Sequence, residues 1–182
     1  MPKYGPLPLV PLHENTKFYP VEITDNPDEN SPAVKVMTDF RNISPVTTEE
    51  EIKIDEALNK MKVYGVRLLL VVDVDRTVIG IISAKSIQGE KPIQISQEAR
   101  ISRADIKVDM IMTPLSDIKV LNMANVRNAK VGHIIETLRQ LRRQHVLVVD
   151  VDDSSGQQAI RGLFSTSQIS KQLGKDIRED MI

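Results

Sequence analysis

The stretch "GIISAKSI" at Gly80–Ile87 reads as a strand running straight into a helix through a serine, and "GLFSTSQI" at Gly162–Ile169 repeats it. Both follow glycine, two apolar residues, Ser, two further residues, a polar residue and Ile. A serine at that place caps a helix by accepting from a backbone N–H two or three residues on. The same free N–H groups also suit a phosphate. What surrounds the two joints separates these roles, and the surroundings are repeated too.

Ile54, Ala57, Leu58, Met61 and Tyr64 share one face of a helix by their spacing. Val131, Ile134, Ile135, Leu138 and Leu141 have the same spacing, each 77 residues further on. "LLLVVD" ends at Asp73 and "HVLVVD" at Asp150, the same step of 77. Such unbroken apolar runs suit strands covered on both faces. A turn follows, "VDRT" or the longer "VDDSSGQQA", then a second strand, "VIGIIS" or "IRGLFS". Upstream, "KVMTDFRNISPV" at Lys35–Val46 and "DMIMTPLSDIKVL" at Asp109–Leu121 share a Met-Thr pair.

Each unit therefore reads Met-Thr lead-in, short strand, helix, strand, turn, strand, short helix. The predicted fold is α/β (α+β), two β-α-β-β-α units. Two copies are too few for a solenoid, so each is expected to bury its sheet against its twin. The segments are a Pro-rich arm at 1–34, a first unit at 35–90, a linker at 91–107, a second unit at 108–173 and a tail at 174–182. Seven of the ten prolines lie in the first 32 residues, which predicts an extended arm. Pro92 suits the first turn of a linker helix.

Composition narrows the function. Twenty-four basic and 25 acidic residues give a net charge of −1, with no general pull toward nucleic acid or anionic membrane. Arginines cluster at 139, 142 and 143, but aromatics for base stacking make up only 3% of the chain. With no Trp the core must be aliphatic, and with no Cys there are no disulfides, thiolate metal sites or cysteine nucleophile. No apolar run approaches the roughly 20 residues that cross a bilayer, and the N-terminus has no signal-peptide pattern, so a cytoplasmic protein is expected. His13, His133 and His145 lack metal-ligand spacing. Neither a nucleophile elbow nor a Gly-Lys-Ser/Thr loop is present. The acids of "TTEEEIKIDEAL" at Thr47–Leu58 suit a helix start. A binding protein without metal is expected, not an enzyme.

The ordered set resembles the CBS domain, the regulatory domain of cystathionine β-synthase. Copy one supplies Met37-Thr38, Gly65, Val71-Val72-Asp73 and Gly80-Ile81-Ile82-Ser83. Copy two supplies Met112-Thr113, Val148-Val149-Asp150 and Gly162-Leu163-Phe164-Ser165, with Arg142 at the place of the helix-ending Gly. The resemblance spans about residues 35–172. It implies a tandem pair packed about a pseudo-twofold axis, commonly as a disc-like homodimer. It further implies a regulatory module taking AMP, ADP, ATP or S-adenosylmethionine between the units and signalling to an effector protein.

In family members that bind such ligands, the joint's Ser or Thr meets phosphate and an Asp three residues later accepts from the ribose hydroxyls. Here Ser83 and Ser165 keep the hydroxyl, while Ser86 and Gln168 replace the Asp. Losing a charged acceptor costs about 1–3 kcal/mol, roughly ten- to a hundredfold in affinity. The family's strand histidine corresponds to His145; its counterpart is Leu68, with Arg67 adjacent. The candidate ligand-binding residues are thus Arg67, Ser83, Ser86, His145, Ser165, Ser167 and Gln168. A phosphate pocket requires His145, one arginine of 139, 142 and 143, and Ser165 to converge. The competing reading makes Ser165 and Gln168 a capping box, with Ser83 and Ser86 a poorer one. On that reading the clefts are vestigial and the protein is a structural interaction module.

Overall fold

The computed structural model describes residues 26–152 and 154–177, together with residues 8, 9, 11, 13 and 16. Most of the proline-rich arm, and residues 178–182 of the tail, lie outside the described residues. In chain order the elements are β1 (Thr38–Asp39), β2 (Thr47–Glu49), α1 (Ile54–Tyr64), β3 (Leu68–Val72), β4 (Val78–Ser83), α2 (Ala84–Gln88) and α3 (Lys91–Ala99). Then come α4 (Val108–Ile111), β5 (Thr113–Pro114), β6 (Val120–Asn122), α5 (Met123–Val126), α6 (Val131–Leu141), β7 (His145–Val151), β8 (Gln158–Ser165) and α7 (Thr166–Leu173). Each repeated joint is the end of a strand entering a helix, and α3 is the linker helix with Pro92 in its first turn.

The strands form two four-stranded sheets, ordered β2-β3-β4-β5 and β1-β8-β7-β6. In each, a short strand runs parallel to the buried central strand, which pairs antiparallel with the strand of the joint. Thr47 faces Leu70 in one sheet and Val120 faces Leu147 in the other. The short strands are thus 73 residues apart and the central strands 77. The four extra residues of the second copy lie between its short strand and its long helix, where α5 forms.

The Met-Thr lead-ins exchange sheets. Strand β1, from the first lead-in, adds to the second sheet beside β8, and β5, from the second, adds to the first sheet beside β4. Ala33 and Val36 are buried in the core of the second unit, and Ile106, Val108 and Ile111 in that of the first. Backbone bonds seal each crossing: Ala33 N–H donates to Ala129 O (2.9 Å), and Val108 N–H donates to Ile52 O (2.9 Å). The repeat is sequential in the chain, but each folded unit borrows an edge strand from the other.

The glycines of the two joints make this exchange possible. A Cβ on Gly80 would stand 2.7 Å from the carbonyl oxygen of Thr113, and one on Gly162 closer still to that of Thr38. Beside Gly162 the guanidinium of Arg161 (12% exposed side chain) grips Asp39 of β1 with two bonds of 2.8 Å, and reaches Asp150 at 3.2 Å. Between the sheets, Leu68, Leu70 and Leu147 form a third apolar cluster with Phe40, Ile81 and Leu163 packed around it. Leu70 and Leu147 are equivalent positions of the repeat, so the two sheets meet face to face across the pseudo-twofold axis.

Candidate ligand clefts

Each joint opens onto a cleft whose far wall is the helix end of the other unit. In the first cleft, of about 520 Å³, Ser83 and Ser86 face Arg142, Arg143, Gln144 and His145. In the second, of about 500 Å³, Ser165, Ser167 and Gln168 face Tyr64, Val66, Arg67 and His145. Both volumes lie within the range of small-molecule sites. Backbone bonds fix this arrangement: Ala84 N–H donates to Arg67 O (2.9 Å) and Thr166 N–H donates to Gln144 O (3.0 Å), again residues 77 apart. The chain thereby starts each helix against the end of its own unit's long-helix turn, and the side chains of that turn project into the cleft of the other unit.

The predicted residues are divided accordingly. Arg67, His145, Ser165, Ser167 and Gln168 line the second cleft; Ser83, Ser86 and His145 line the first. The expected meeting of Ser165 with an arginine of α6 does not occur. Arg142 and Arg143 line the Ser83 cleft, and the cation facing Ser165 is Arg67. The pseudo-twofold exchange is the reason, since each joint meets the helix end of the other unit. Lys171 and the lead-in Thr38 also line the second cleft, neither of which the sequence reading singled out. Tyr64, counted on the apolar face of α1, is 61% exposed and borders the second cleft.

Both serines cap their helices. Ser83 Oγ accepts from Ser86 N–H at 3.1 Å and Ser165 Oγ accepts from Gln168 N–H at 3.1 Å. Ser83 and Ser86 hydroxyls also bond each other at 2.8 Å. Only half of the expected capping box forms at Ser165, because the Gln168 side chain turns to the cleft. Each serine hydroxyl retains lone-pair and donor capacity, so capping and ligand contact are compatible.

His145 lines both clefts and starts β7, with its backbone paired to Ser165. Burial, and secondly the positive charge of Arg67, push it down from 6.5 to about 4. It is therefore a neutral imidazole at pH 7, a donor on one nitrogen and an acceptor on the other. The fixed cation beside it is Arg67. The second cleft combines this cation with an apolar bed of Phe40, Ile43, Val46, Tyr64 and Val66. Such a site takes a flat apolar group at one end and an anion at the other.

Two interlocked α/β units with paired clefts between them define a duplicated ligand-binding fold. Residues 33–90 match the family model of the CBS domain. The chain is a CBS-domain protein, and its two units have the fold of CBS pairs. An uncharacterized conserved protein from Pyrococcus horikoshii is 22% identical, with a TM-score of 0.55 over 79% of this chain and 92% of that one. A CBS-domain containing protein from Agrobacterium tumefaciens is 18% identical, with a TM-score of 0.53 over 73% and 88%. The CBS domain pair of protein MJ0100, solved with 5-methylthioadenosine and S-adenosyl-L-methionine, is 19% identical, with a TM-score of 0.50 over 78% and 98%. No curated protein matches. Among the described residues no helix is long and apolar enough to cross a membrane.

Proposed function

We propose that this protein is a regulatory binding module that holds an adenosine-type ligand in the Ser165 cleft and signals to a partner protein. One observation carries the reading. A single cleft joins an apolar bed at Phe40, Ile43, Tyr64 and Val66 to a polar end at Arg67, Ser165 and Gln168. A purine fits the first and a phosphate the second, with Gln168 as a neutral acceptor near the ribose. The neighbour solved with two adenosyl compounds supports this ligand class.

Because the cleft has one wall from each unit, a ligand that fits one packing of the units better shifts the population toward it. A partner protein bound across both units would read that shift. Association as a homodimer in the cytoplasm belongs to the same reading, and light scattering on the eluting protein tests the dimer.

Thermal denaturation with AMP, ADP, ATP and S-adenosylmethionine tests the ligand. At least one should raise the transition temperature in proportion to the logarithm of its concentration above its Kd. No shift with any of them at millimolar concentration would overturn the reading in favour of an interaction module.

A further inference from the structure

The two clefts are equivalent in backbone and different in charge. Where the second has Gly65, Val66 and Arg67, the first has Arg142, Arg143 and Gln144, each 77 residues later. Across the first cleft lie Lys85 and Lys91, so four cations face one carboxylate, Glu90. None of the ion pairs among the described residues involves Lys85, Arg142 or Arg143. Lys91 is held by a neutral partner, its Nζ donating to Ile111 O at 2.9 Å, which leaves its charge uncompensated. The first cleft contains no phenyl or phenol ring, and its apolar lining is Leu68 and Ile81. Arg142 holds a left-handed backbone at φ 50°, where its counterpart is a glycine at φ 65°. A side chain there costs about 1 kcal/mol over glycine. The duplication thus replaced glycine and valine with two arginines on one side only.

We propose that the Ser83 cleft is a polyphosphate site, recognising a chain of two or more phosphates by charge without reading a nucleoside. The inference concerns the other cleft and stands independently of the nucleotide reading above. The polyphosphate has two sources, the tail of a nucleoside triphosphate or a free inorganic chain. Guanidinium pairs suit phosphate oxygens because their planar forks bond two at once. Lys85 on the opposite wall would close on the same anion.

The test is calorimetric titration of the full chain with sodium tripolyphosphate, with orthophosphate as the monovalent comparison. Tripolyphosphate should bind more tightly than orthophosphate, and its affinity should fall as salt is raised. The double variant Arg142→Gln, Arg143→Gln should lose about ten- to a hundredfold. Lys85→Gln, on the other wall, should weaken binding in the same direction. Arg67→Gln, in the other cleft, should leave tripolyphosphate binding unchanged. Circular dichroism checks that each variant keeps its fold. Absence of tripolyphosphate binding, full retention in the double variant, or an equal loss in Arg67→Gln would overturn the proposal. If ATP weakens in the double variant as tripolyphosphate does, the site holds a nucleotide's tail; if ATP is unaffected while tripolyphosphate is lost, it holds the free chain. Weak binding of AMP or its loss in Arg67→Gln speaks only to the Ser165 cleft, so the two readings fail separately.

Discussion

The carbonyl oxygen of Thr38 occupies the space that a side chain on Gly162 would need, although the two residues are 124 positions apart in the chain. Thr113 and Gly80 repeat the relationship in the other sheet. The obstacle in both cases is backbone held in a strand pair, which cannot rotate aside. Gly162→Ala should therefore destabilise the protein by about 2–4 kcal/mol, and Gly80→Ala by a similar or smaller amount, in urea denaturation. A loss under about 0.5 kcal/mol at both positions would contradict the exchanged lead-ins.

The exchange also predicts a cooperative pair. A chain beginning at residue 40 lacks β1, Ala33 and Val36, which belong to the core and edge of the second unit. It should lose protection from hydrogen exchange chiefly in β7 and β8 rather than in the first unit it adjoins in sequence. Loss confined to β3 and β4 would show that the units do not interlock this way.

Acid should weaken the fold in two steps. His145 stays neutral in the folded protein down to about pH 4, whereas an unfolded histidine takes up its proton near pH 6.5. The unfolded state thus binds more protons in this window, and stability falls as pH drops from about 6.5 to 4, by about 3 kcal/mol at most. Asp39 is held down to about 2 by its bonds to Arg161. Its contribution is complete above the ordinary aspartate value of 3.8 and is lost as pH falls through about 2. Denaturation across pH should show His145→Gln flattening the first step and Arg161→Gln the second. An unchanged slope between pH 6.5 and 4 in His145→Gln would contradict the burial of that ring.

Arg142 predicts opposed effects on stability and binding. Arg142→Gly relieves a left-handed backbone and should stabilise the protein by about 0.5–1 kcal/mol in thermal denaturation. Polyphosphate affinity should fall in the same variant. A residue kept at a conformational cost and lost without harm to binding would have no role in the cleft.

Much of the fold is legible in the sequence because it rests on local rules. The spacing of Ile54, Ala57 and Met61 specifies a helix, the runs at Leu68 and Val146 specify buried strands, and Ser83 and Ser165 mark the joints. The exchange of lead-ins is not legible. Strands β1 and β5 have two residues each, too few to carry a periodic pattern, and their partners are set by distant backbone. The glycines at 80 and 162 hold the signal, since a repeated glycine inside a strand marks a close backbone approach. The same limit explains the site. Arg67 meets Ser165 only through the pseudo-twofold packing, so nearness in sequence pointed to Arg142 and Arg143 instead. Tyr64 satisfies the helical spacing but stands at the last turn, where α1 has passed beyond the core.

Gln168 offers the most direct test of the Ser165 cleft, because it lines that cleft at the position where the family places a ribose-binding aspartate. Calorimetric titration of AMP into the wild-type chain and into Gln168→Asp compares a neutral acceptor with a charged one. The account predicts measurable binding to the wild type and about ten- to a hundredfold tighter binding to the variant. Absence of binding to both, or equal affinity for both, would contradict it.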